Sequence, residues 1–330
     1  MAALMVFFHH LTPRHFNPLV TNFIIELQAG VPVFFVLSGF LIAYRYSDVA
    51  TSTKPWIKQY LVNRFARIYP LYFIITVANG LYFKLSALPF ALNITLLLGY
   101  FTNYVFNPAP QNWSLTVECT FYLALPLILF LTRKKWPLLS QLALFLSIGF
   151  LLTFIFKNIH FAWLFTDYSF TFILTFFGRC FEFLTGVYLA LNLKRCPVSK
   201  SKYLFTFLGA VGLPVCVFLI SISGGLNSVK GMLMHNFLLP LPIASLIYGL
   251  VNEKTKLAAV LETSLFELLG KSSYAFFLIH VGFLHSLFNR YVVSNLFIEL
   301  LFTTAASVLL FKFIESPLYN FTRKKLKKAG

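Results

Sequence analysis

Long apolar segments recur along the whole chain and are separated by short polar stretches. A helix needs about 20 apolar residues to cross the hydrocarbon core of a bilayer. Segments of about that length lie at 25–46, 65–86, 114–131, 138–156, 172–193, 203–223, 231–251, 272–289 and 294–314. A shorter apolar segment at 1–11 counts as a further crossing whose helix is expected to lack its start. The pattern predicts an all-α, polytopic membrane bundle.

The segment 87–106 is harder to interpret because it contains Pro89, Asn93, Thr95 and Asn103. The positions of Lys and Arg indicate whether this segment crosses the membrane, since cytoplasmic loops of membrane proteins carry an excess of both. The cationic clusters fall on one side of the membrane only if this segment does not cross. They lie at 54–67, 133–135, 194–202, 254–271 and 323–328. We therefore predict about ten transmembrane helices, one re-entrant or interfacial segment, and cytoplasmic termini.

Composition agrees with this interpretation. The 330 residues are 58% hydrophobic and only 11% charged, whereas a soluble domain has about 25% charged residues. No hydrophilic loop is long enough for a soluble domain, so a single membrane domain over 1–330 is expected. The net charge of +17 is explained by cationic loops facing anionic lipid, and no nucleic-acid partner is predicted. The four cysteines form no CxxC pair, so no metal site is predicted.

Polar side chains at the ends of apolar segments are costly in lipid and therefore mark candidate sites. His9 and His10 end the first segment, and an imidazole can take a proton near neutral pH. Trp113, Ser114 and Glu118 open another segment, with the serine and the carboxylate one helical turn apart. The predicted topology places both groups near the outer face. Each also has a structural interpretation, as interfacial anchors or as hydrogen-bonded helix caps.

A cationic cluster lies at the predicted inner face. Arg64 and Arg67 are spaced i, i+3, so they share one helix face and can hold a phosphate by forked hydrogen bonds. Tyr69-Pro70 follows directly and is expected to break the helix. Ordinary anchoring by cytoplasmic cations is the structural alternative.

Three more polar groups have mainly structural interpretations. Arg179 and Glu182 are spaced as an intrahelical ion pair. Tyr274 and His280 give one membrane helix a polar face, for which inter-helix hydrogen bonding is the alternative. Glu315 closes the last apolar segment and is expected to pair with the C-terminal cations.

The order of these motifs resembles the membrane-bound acyltransferase-3 family, which moves acyl groups onto exported sugars and other hydroxyl acceptors. The resemblance covers nearly the whole chain. It rests on His9-His10, Phe34 to Leu41, Arg64 to Pro70, Trp113 to Glu118, Arg179 to Gly186, Ser273-Tyr274 with His280, and Glu315-Ser316-Pro317. The family's first motif has an Arg upstream of the functional His. Aligning the two makes His10 that residue and places the Arg before Met1.

The resemblance implies an O-acyltransferase in a bacterial inner membrane. Acetyl-CoA would be the cytoplasmic acyl donor, and the acceptor would be a hydroxyl of a cell-surface or exported carbohydrate, such as a lipopolysaccharide O-antigen. His10 would act as a base or as a transient acyl carrier, oriented by Glu118. Arg64 and Arg67 would bind the phosphates of the donor.

Substrate contacts are expected from four residues. Trp113 would stack on a sugar ring, and Ser38, Ser114 and Tyr274 would hydrogen-bond to the acyl carbonyl or to the acceptor. The alternative function is a proton-coupled transporter in which the same histidine and glutamate form a relay. Transporters often contain inverted repeats, and the sequence shows none.

Overall fold

The structure is a computed structural model, and it describes residues 1–12, 16–48, 55–159, 163–195, 201–292 and 295–328. Helices make up most of these residues, and no sheet forms among them. An isolated antiparallel bridge joins Phe101 and Leu164. The predicted all-α class is therefore confirmed. Lys54 and Lys200, which belong to two of the predicted cationic clusters, lie outside the described residues.

The α-helices of the described residues follow one another along the chain with short connections. They are α1 (Ala2–Leu11), α2 (Pro18–Ile25), α3 (Gly30–Tyr46), α4 (Pro55–Tyr82), α5 (Ala87–Ile94), α6 (Asn112–Arg133), α7 (Leu138–Ile159), α8 (Tyr168–Leu174), α9 (Phe176–Arg195), α10 (Leu204–Ile222), α11 (Val229–Leu233), α12 (Pro240–Asn252), α13 (Lys256–Leu261), α14 (Ser264–Ile279), α15 (Phe283–Tyr291), α16 (Leu296–Leu310) and α17 (Ser316–Lys328). Two π-helices, Met234–Leu238 and Phe311–Glu315, join α11 to α12 and α16 to α17.

Within the described part of the chain, seven helical segments are long and apolar enough to cross a membrane. They are Pro18–Tyr46, Asn112–Arg133, Leu138–Ile159, Tyr168–Leu193, Leu204–Ile222, Val229–Asn252 and Leu296–Lys324. α1 is a shorter apolar helix. α4 has 28 residues but carries Lys58, Arg64 and Arg67 in its first half. The protein is thus an integral membrane protein with several apolar helices.

The segment 87–106 contains α5, a short 3₁₀ turn and irregular chain. α5 has eight residues, a length of about 12 Å, which is too short to cross a bilayer. Asn93 holds the segment in place, because its Nδ2 donates to the carbonyls of Pro89 (2.8 Å) and Asn107 (3.0 Å). Its Oδ1 accepts from Nδ2 of Asn112 at 2.9 Å. The segment is thereby tied to the first residue of α6.

The segment predicted as one crossing at 272–289 is two helices. α14 ends directly before His280, and α15 begins at Phe283. Gly282 lies between them with φ +108°, a conformation that favours glycine. The N–H of Phe283 donates to Oδ1 of Asn79 at 2.8 Å. The break leaves the imidazole of His280 at the end of a helix.

α4 continues through Pro70, where the sequence predicted a break. Proline removes one helical hydrogen bond, but membrane helices tolerate this when neighbouring helices support the freed backbone. The hydroxyl of Tyr274 in α14 donates to the carbonyl of Ile68 at 2.9 Å, two residues before the proline, so the neighbouring helix contacts the backbone of α4 in this region. The predicted break is therefore wrong.

α3 and α9 cross closely in the core of the bundle. A Cβ added to Gly39 would lie 2.3 Å from the backbone oxygen of Phe183, and one added to Gly186 would lie 2.0 Å from a backbone oxygen of α3. Small residues at such crossings let membrane helices approach closely. The ring of Phe183 stacks on Phe35 and Phe121, with centroid distances of 4.6 and 4.1 Å. This crossing anchors the helices that carry the candidate site.

Candidate active site

A cavity of about 370 Å³ lies where α1, α6, α8 and α9 meet. Its walls are mostly apolar with a few polar side chains, as in typical ligand sites. The polar and aromatic lining residues are His9, His10, Gln28, Phe106, Gln111, Trp113, Ser114, Arg179 and His235. These side chains come from distant parts of the sequence, and the helix crossings described above bring them together.

His10 lies in the last turn of α1 and contacts a second histidine. Its Nδ1 is 3.0 Å from Nε2 of His280, whose own Nδ1 is 2.8 Å from the carbonyl oxygen of Phe277. A carbonyl only accepts hydrogen bonds, so in the neutral ring His280 carries its proton on Nδ1 and accepts at Nε2. The Nδ1 of His10 must then be the donor. This relay leaves the lone pair of His10 on Nε2, the tautomer that a general base needs.

His9 has an anchoring contact. Its Nδ1 lies 2.5 Å from the carbonyl oxygen of Ile25, the last residue of α2. The rings of His9 and His10 are edge to face, with centroids 4.7 Å apart. The first histidine therefore holds the end of α1 against α2.

Gln111 holds the break between α14 and α15 in place. Its Nε2 donates to the carbonyls of Leu278 (3.2 Å) and Val281 (3.4 Å), which flank His280. The side chain is buried, and its Oε1 has no hydrogen-bond partner among the described residues. Because Gln111 also lines the cavity, this oxygen is available to accept a hydrogen bond from a bound hydroxyl.

Glu118 lies one turn deeper in α6 than Ser114, and its hydrogen-bond partners are one residue of α3 and one of α6 itself. It accepts hydrogen bonds from Oγ of Ser38 (2.7 Å) and from the hydroxyl of Tyr122. The contact described for the imidazole of His10 is with His280, directly after α14, and the orienting role predicted for Glu118 stays a prediction. The sequence placed both groups near one face of the membrane but did not specify the rotation of α6.

The four residues expected to contact substrate fall into two pairs. Trp113 and Ser114 line the cavity. Ser38 and Tyr274 instead donate to groups on neighbouring helices, the first to the carboxylate of α6 and the second to a backbone carbonyl of α4. Inter-helix hydrogen bonding, the structural alternative for Tyr274, is therefore the contact that it makes.

The arginine of α9 forms the polar wall of the cavity. Arg179 is only 1% exposed and makes the predicted ion pair with Glu182, with Nη2 and Oε1 3.0 Å apart. Its Nη1 also lies 2.8 Å from Nδ1 of His235 and 3.2 Å from Oδ1 of Asn236. The guanidinium faces the ring of Trp113, 5.8 Å from its centroid. The sequence predicted the ion pair but not this placement at the cavity.

His235 and Asn236 belong to the first π-helix. Such turns insert one extra residue into a helix and occur frequently at functional sites. Nδ2 of Asn236 donates to the carbonyls of Phe172 (2.8 Å) and Gly178 (3.2 Å), which fixes the turn against α8 and α9. The sequence signal was present, because this polar pair interrupts the apolar segment 231–251. Its partner on α9 could not be predicted from spacing.

The cationic cluster of α4 is distinct from the cavity. Nη1 of Arg67 lies 3.1 Å from Oε1 of Glu315, which is buried in the second π-helix. The ion pair that the structure describes for Glu315 is thus with α4. Arg64 lies over the ring of Tyr122, with 5.9 Å from its guanidinium carbon to the ring centroid, and its Nε is buried without a hydrogen-bond partner in the described structure.

The fold and the cavity define a polytopic helical membrane protein with a histidine-lined site. A sequence model of the acyltransferase domain matches residues 1–313. The chain therefore belongs to the acyltransferase-3 family, and the resemblance drawn from its motifs is confirmed.

Named relatives agree with this assignment. A Staphylococcus aureus (strain COL) protein named "Putative O-acetyltransferase" is 26% identical over 330 residues, covering 87% of this chain and 52% of that protein. Nodulation protein 10 of Rhizobium leguminosarum bv. viciae is 28% identical over 148 residues, covering 36% of this chain and 38% of that protein. The chain spans about half the length of the staphylococcal relative. No solved structure matches the chain.

Proposed function

We propose that this protein is an integral membrane O-acetyltransferase that moves an acetyl group from cytoplasmic acetyl-CoA to a hydroxyl of a cell-surface or exported carbohydrate. The relay from Phe277 through His280 to His10 carries the proposal, because it leaves a basic nitrogen on a residue of the cavity wall. Membership of an acyltransferase family and the name of the staphylococcal relative support the reaction class.

His10 acts as a general base in the proposed reaction. Its Nε2 removes the proton of the acceptor hydroxyl while the hydroxyl oxygen attacks the carbonyl carbon of the thioester. His280 and the carbonyl of Phe277 hold the imidazole in the required tautomer and stay hydrogen-bonded to it as it becomes charged. A transient acyl group on His10 would use the same nitrogen, and direct transfer is the simpler path.

The acyl donor is proposed to bind with its phosphates at Arg64 and Arg67. Arg67 is half-exposed and uses one nitrogen for Glu315, so its other N–H groups remain for an anion. Tyr122, Glu118 and Ser114 follow at four-residue spacing from this cluster towards the cavity. They therefore share one face of α6 over a rise of about 12 Å. The thin pantetheine arm would run along this face.

The acceptor is proposed to bind in the cavity itself. Trp113 offers an aromatic ring for a sugar, and the guanidinium of Arg179 lies 5.8 Å from the centroid of that ring. Oε1 of Gln111 accepts a hydrogen bond from a neighbouring hydroxyl. A polar site of this kind discriminates strongly against acceptors that lack the hydroxyl, because its buried polar atoms would then be unpaired.

The membrane topology is part of the proposal. Adding α1, α4 and the broken pair α14–α15 to the seven apolar segments gives ten crossings with both termini cytoplasmic. This arrangement places the arginine cluster at the inner face and the cavity towards the outer face of a bacterial inner membrane. The chain acts as a single membrane domain over 1–330.

The reaction is tested in membranes from cells that express this chain. Radiolabelled acetyl-CoA is supplied, and label is followed into the extracted glycan fraction beside membranes without the protein. We expect protein-dependent label that mild alkali releases as acetate, because O-acetyl esters are base-labile. Absence of label, in membranes shown to contain folded protein that binds acetyl-CoA, would contradict the proposed acceptor class.

The donor site is tested by acetyl-CoA binding to purified protein. A ligand present at 100 times its Kd stabilises a protein by about 2.7 kcal/mol, so acetyl-CoA is expected to raise the melting temperature. The double variant Arg64→Ala/Arg67→Ala should lose most of this increase. Lys58→Ala, on an exposed position of the same helix, is the matched control and should keep it. Equal stabilisation of all three proteins would contradict the proposed donor site.

A further inference from the structure

His235 has an unusual position for a membrane histidine. It lies in a π-helix, is 1% exposed and lines the cavity. Its Nε2 is buried and has no hydrogen-bond partner among the described residues. A polar atom left unpaired in such surroundings is costly, because it has lost its hydrogen bonds to water without replacement. This cost indicates a function that involves a bound molecule.

The contact on the other ring nitrogen fixes the tautomer of His235. Nη1 of Arg179 lies 2.8 Å from its Nδ1, and a guanidinium can only donate. Nδ1 therefore accepts, and the proton of the neutral ring is on Nε2. Oδ1 of Asn236 lies farther from the same nitrogen, at 3.4 Å, and itself accepts from Nη1 of Arg179. A charged ring would place a second N–H against the guanidinium and break this contact. The structure thus holds His235 as a neutral ring with a hydrogen-bond donor at Nε2.

The cavity therefore contains two imidazoles whose Nε2 atoms have opposite roles in hydrogen bonding. The relay through His280 makes Nε2 of His10 an acceptor, and Arg179 makes Nε2 of His235 a donor. Acyl transfer needs both, since a proton leaves the attacking hydroxyl while negative charge develops on the carbonyl oxygen. The tautomer of each imidazole follows from the hydrogen bond at its own Nδ1, so the two assignments are independent.

We propose that Nε2–H of His235 donates a hydrogen bond to the acyl oxygen during transfer, and is thus a second catalytic residue. This inference rests on the proposed acetyltransferase function. The acceptor oxygen forms a bond to the carbonyl carbon, its proton moves to Nε2 of His10, and the π electrons move to the carbonyl oxygen beside His235. When the electrons return, the C–S bond breaks, and the thiolate takes the proton from His10.

A purely structural role explains the arrangement less well. Arg179 already has the carboxylate of Glu182 and Oδ1 of Asn236 as acceptors. Asn236 in turn donates to two backbone carbonyls, so the π-helix is held without any contact from Nε2 of His235. Among the described residues, the Nε2–H of His235 therefore makes no contact that holds the π-helix in place.

The test compares three variants of the π-helix in the full chain. His235→Phe keeps a ring of similar size but removes the donor, and Arg179 retains its other acceptors. His235→Gln places an amide N–H near the position of Nε2. Met234→Leu changes the same turn at the preceding residue, which does not line the cavity, and is the control for altered packing. Folding of each is checked by its melting temperature.

Transfer kinetics give the first result. We expect kcat of His235→Phe to fall by roughly 10²–10³, the usual loss for one oxyanion donor, with KM for acetyl-CoA unchanged. His235→Gln should recover part of the rate, and Met234→Leu should match the wild type. Unchanged kcat in folded His235→Phe would overturn the proposal, as would equal loss in the phenylalanine and glutamine variants.

A spectroscopic measurement separates this inference from the proposed function. The infrared carbonyl stretch of ¹³C-labelled acetyl-CoA is recorded on purified protein, so no turnover is required. A donor at Nε2 shifts the stretch to lower wavenumber in the wild type and in His235→Gln, but not in His235→Phe. Identical frequencies in all three would overturn the assignment of His235. Absence of transfer with this shift present would contradict the proposed reaction alone.

Discussion

The group that contacts Nδ1 decides the chemistry of each imidazole in the cavity. His280 bonds a carbonyl, so its other nitrogen accepts, and His10 consequently presents a lone pair at Nε2. His235 bonds a guanidinium and presents a proton. The two cavity histidines are therefore not interchangeable, although both are imidazoles of the same cavity wall.

His280 acts as a positioning residue, and its replacement tests the relay. In His280→Phe the Nδ1 of His10 loses its acceptor, so the imidazole is no longer held in the basic tautomer. We expect kcat to fall by about 10²-fold or more, within the range attributed to general base catalysis, with KM for acetyl-CoA unchanged. His280→Gln, which restores an acceptor oxygen, should recover part of the rate. Loss of acetyl-CoA binding together with kcat would instead indicate a structural role.

The sequence predicted the residues of the site better than their partners. His10, Trp113 and Ser114 were found because polar groups are rare at the ends of apolar segments, and all three line the cavity. The partner of His10 was not found, because it lies 270 residues away on another helix. Arg179 and His235 are 56 residues apart, and only the packing of a π-helix against α9 brings them together.

Irregular helical elements place most of the functional groups. The break after α14 leaves His280 at a helix end, one π-helix presents His235, and the other presents Glu315 to α4. Hydropathy predicts continuous crossings through all three regions, because it responds to the average polarity of a segment. Gly282 marks the break by its positive φ, a property that one glycine in a sequence does not reveal.

The crossing of α3 and α9 is expected to be sensitive to a single methyl group. A Cβ at Gly186 would lie 2.0 Å from a backbone oxygen, so Gly186→Ala must separate the helices. We expect a loss of about 1–3 kcal/mol, the usual cost of overpacking, seen as a lower melting temperature in detergent. Gly270→Ala in α14 is the control, because nothing lies within 4 Å of its Cβ. Equal melting temperatures for both variants would contradict the close crossing.

The start of α10 is held by a carboxylate that follows α12. Oε1 and Oε2 of Glu253 accept from the backbone N–H groups of Phe205 (3.0 Å) and Thr206 (2.9 Å). Burial acts to raise the pKa of this carboxyl, but the hydrogen bonds from Thr206 and Phe205 outweigh it and lower the pKa below its usual value. Its contribution to stability is therefore present above the ordinary carboxyl pKa and is lost as pH falls through the lowered value.

Glu253→Gln is expected to destabilise the protein by about 1 kcal/mol, the typical value of a helix cap. Thermal unfolding of the variant and of the wild type should differ at neutral pH, and the difference should shrink as pH falls below about 4. Glu262→Gln, which changes an exposed carboxylate directly after α13, is the control and should unfold like the wild type. If the difference in stability between Glu253→Gln and the wild type did not change with pH, the shape of the side chain and not its charge would be responsible.

At the scale of the whole molecule, the chain separates a cationic cluster from a histidine cavity and connects them along α6. Arg64 contacts Tyr122, which donates to Glu118, and Ser114 follows one turn later at the cavity. The predicted helical membrane bundle and the identity of both clusters could be read from hydropathy and charge. The role of Glu118 between them could not, because it depends on how α3, α4 and α6 pack.

The most direct test of this account is the initial rate of acetyl transfer by His10→Ala in membranes that contain equal amounts of folded protein. The account predicts a fall of roughly 10²–10⁴ relative to the wild type. His9→Ala is the matched control, because that neighbour contacts the carbonyl of Ile25 instead of the relay, and its loss should be much smaller. Transfer at the wild-type rate by folded His10→Ala would contradict the account.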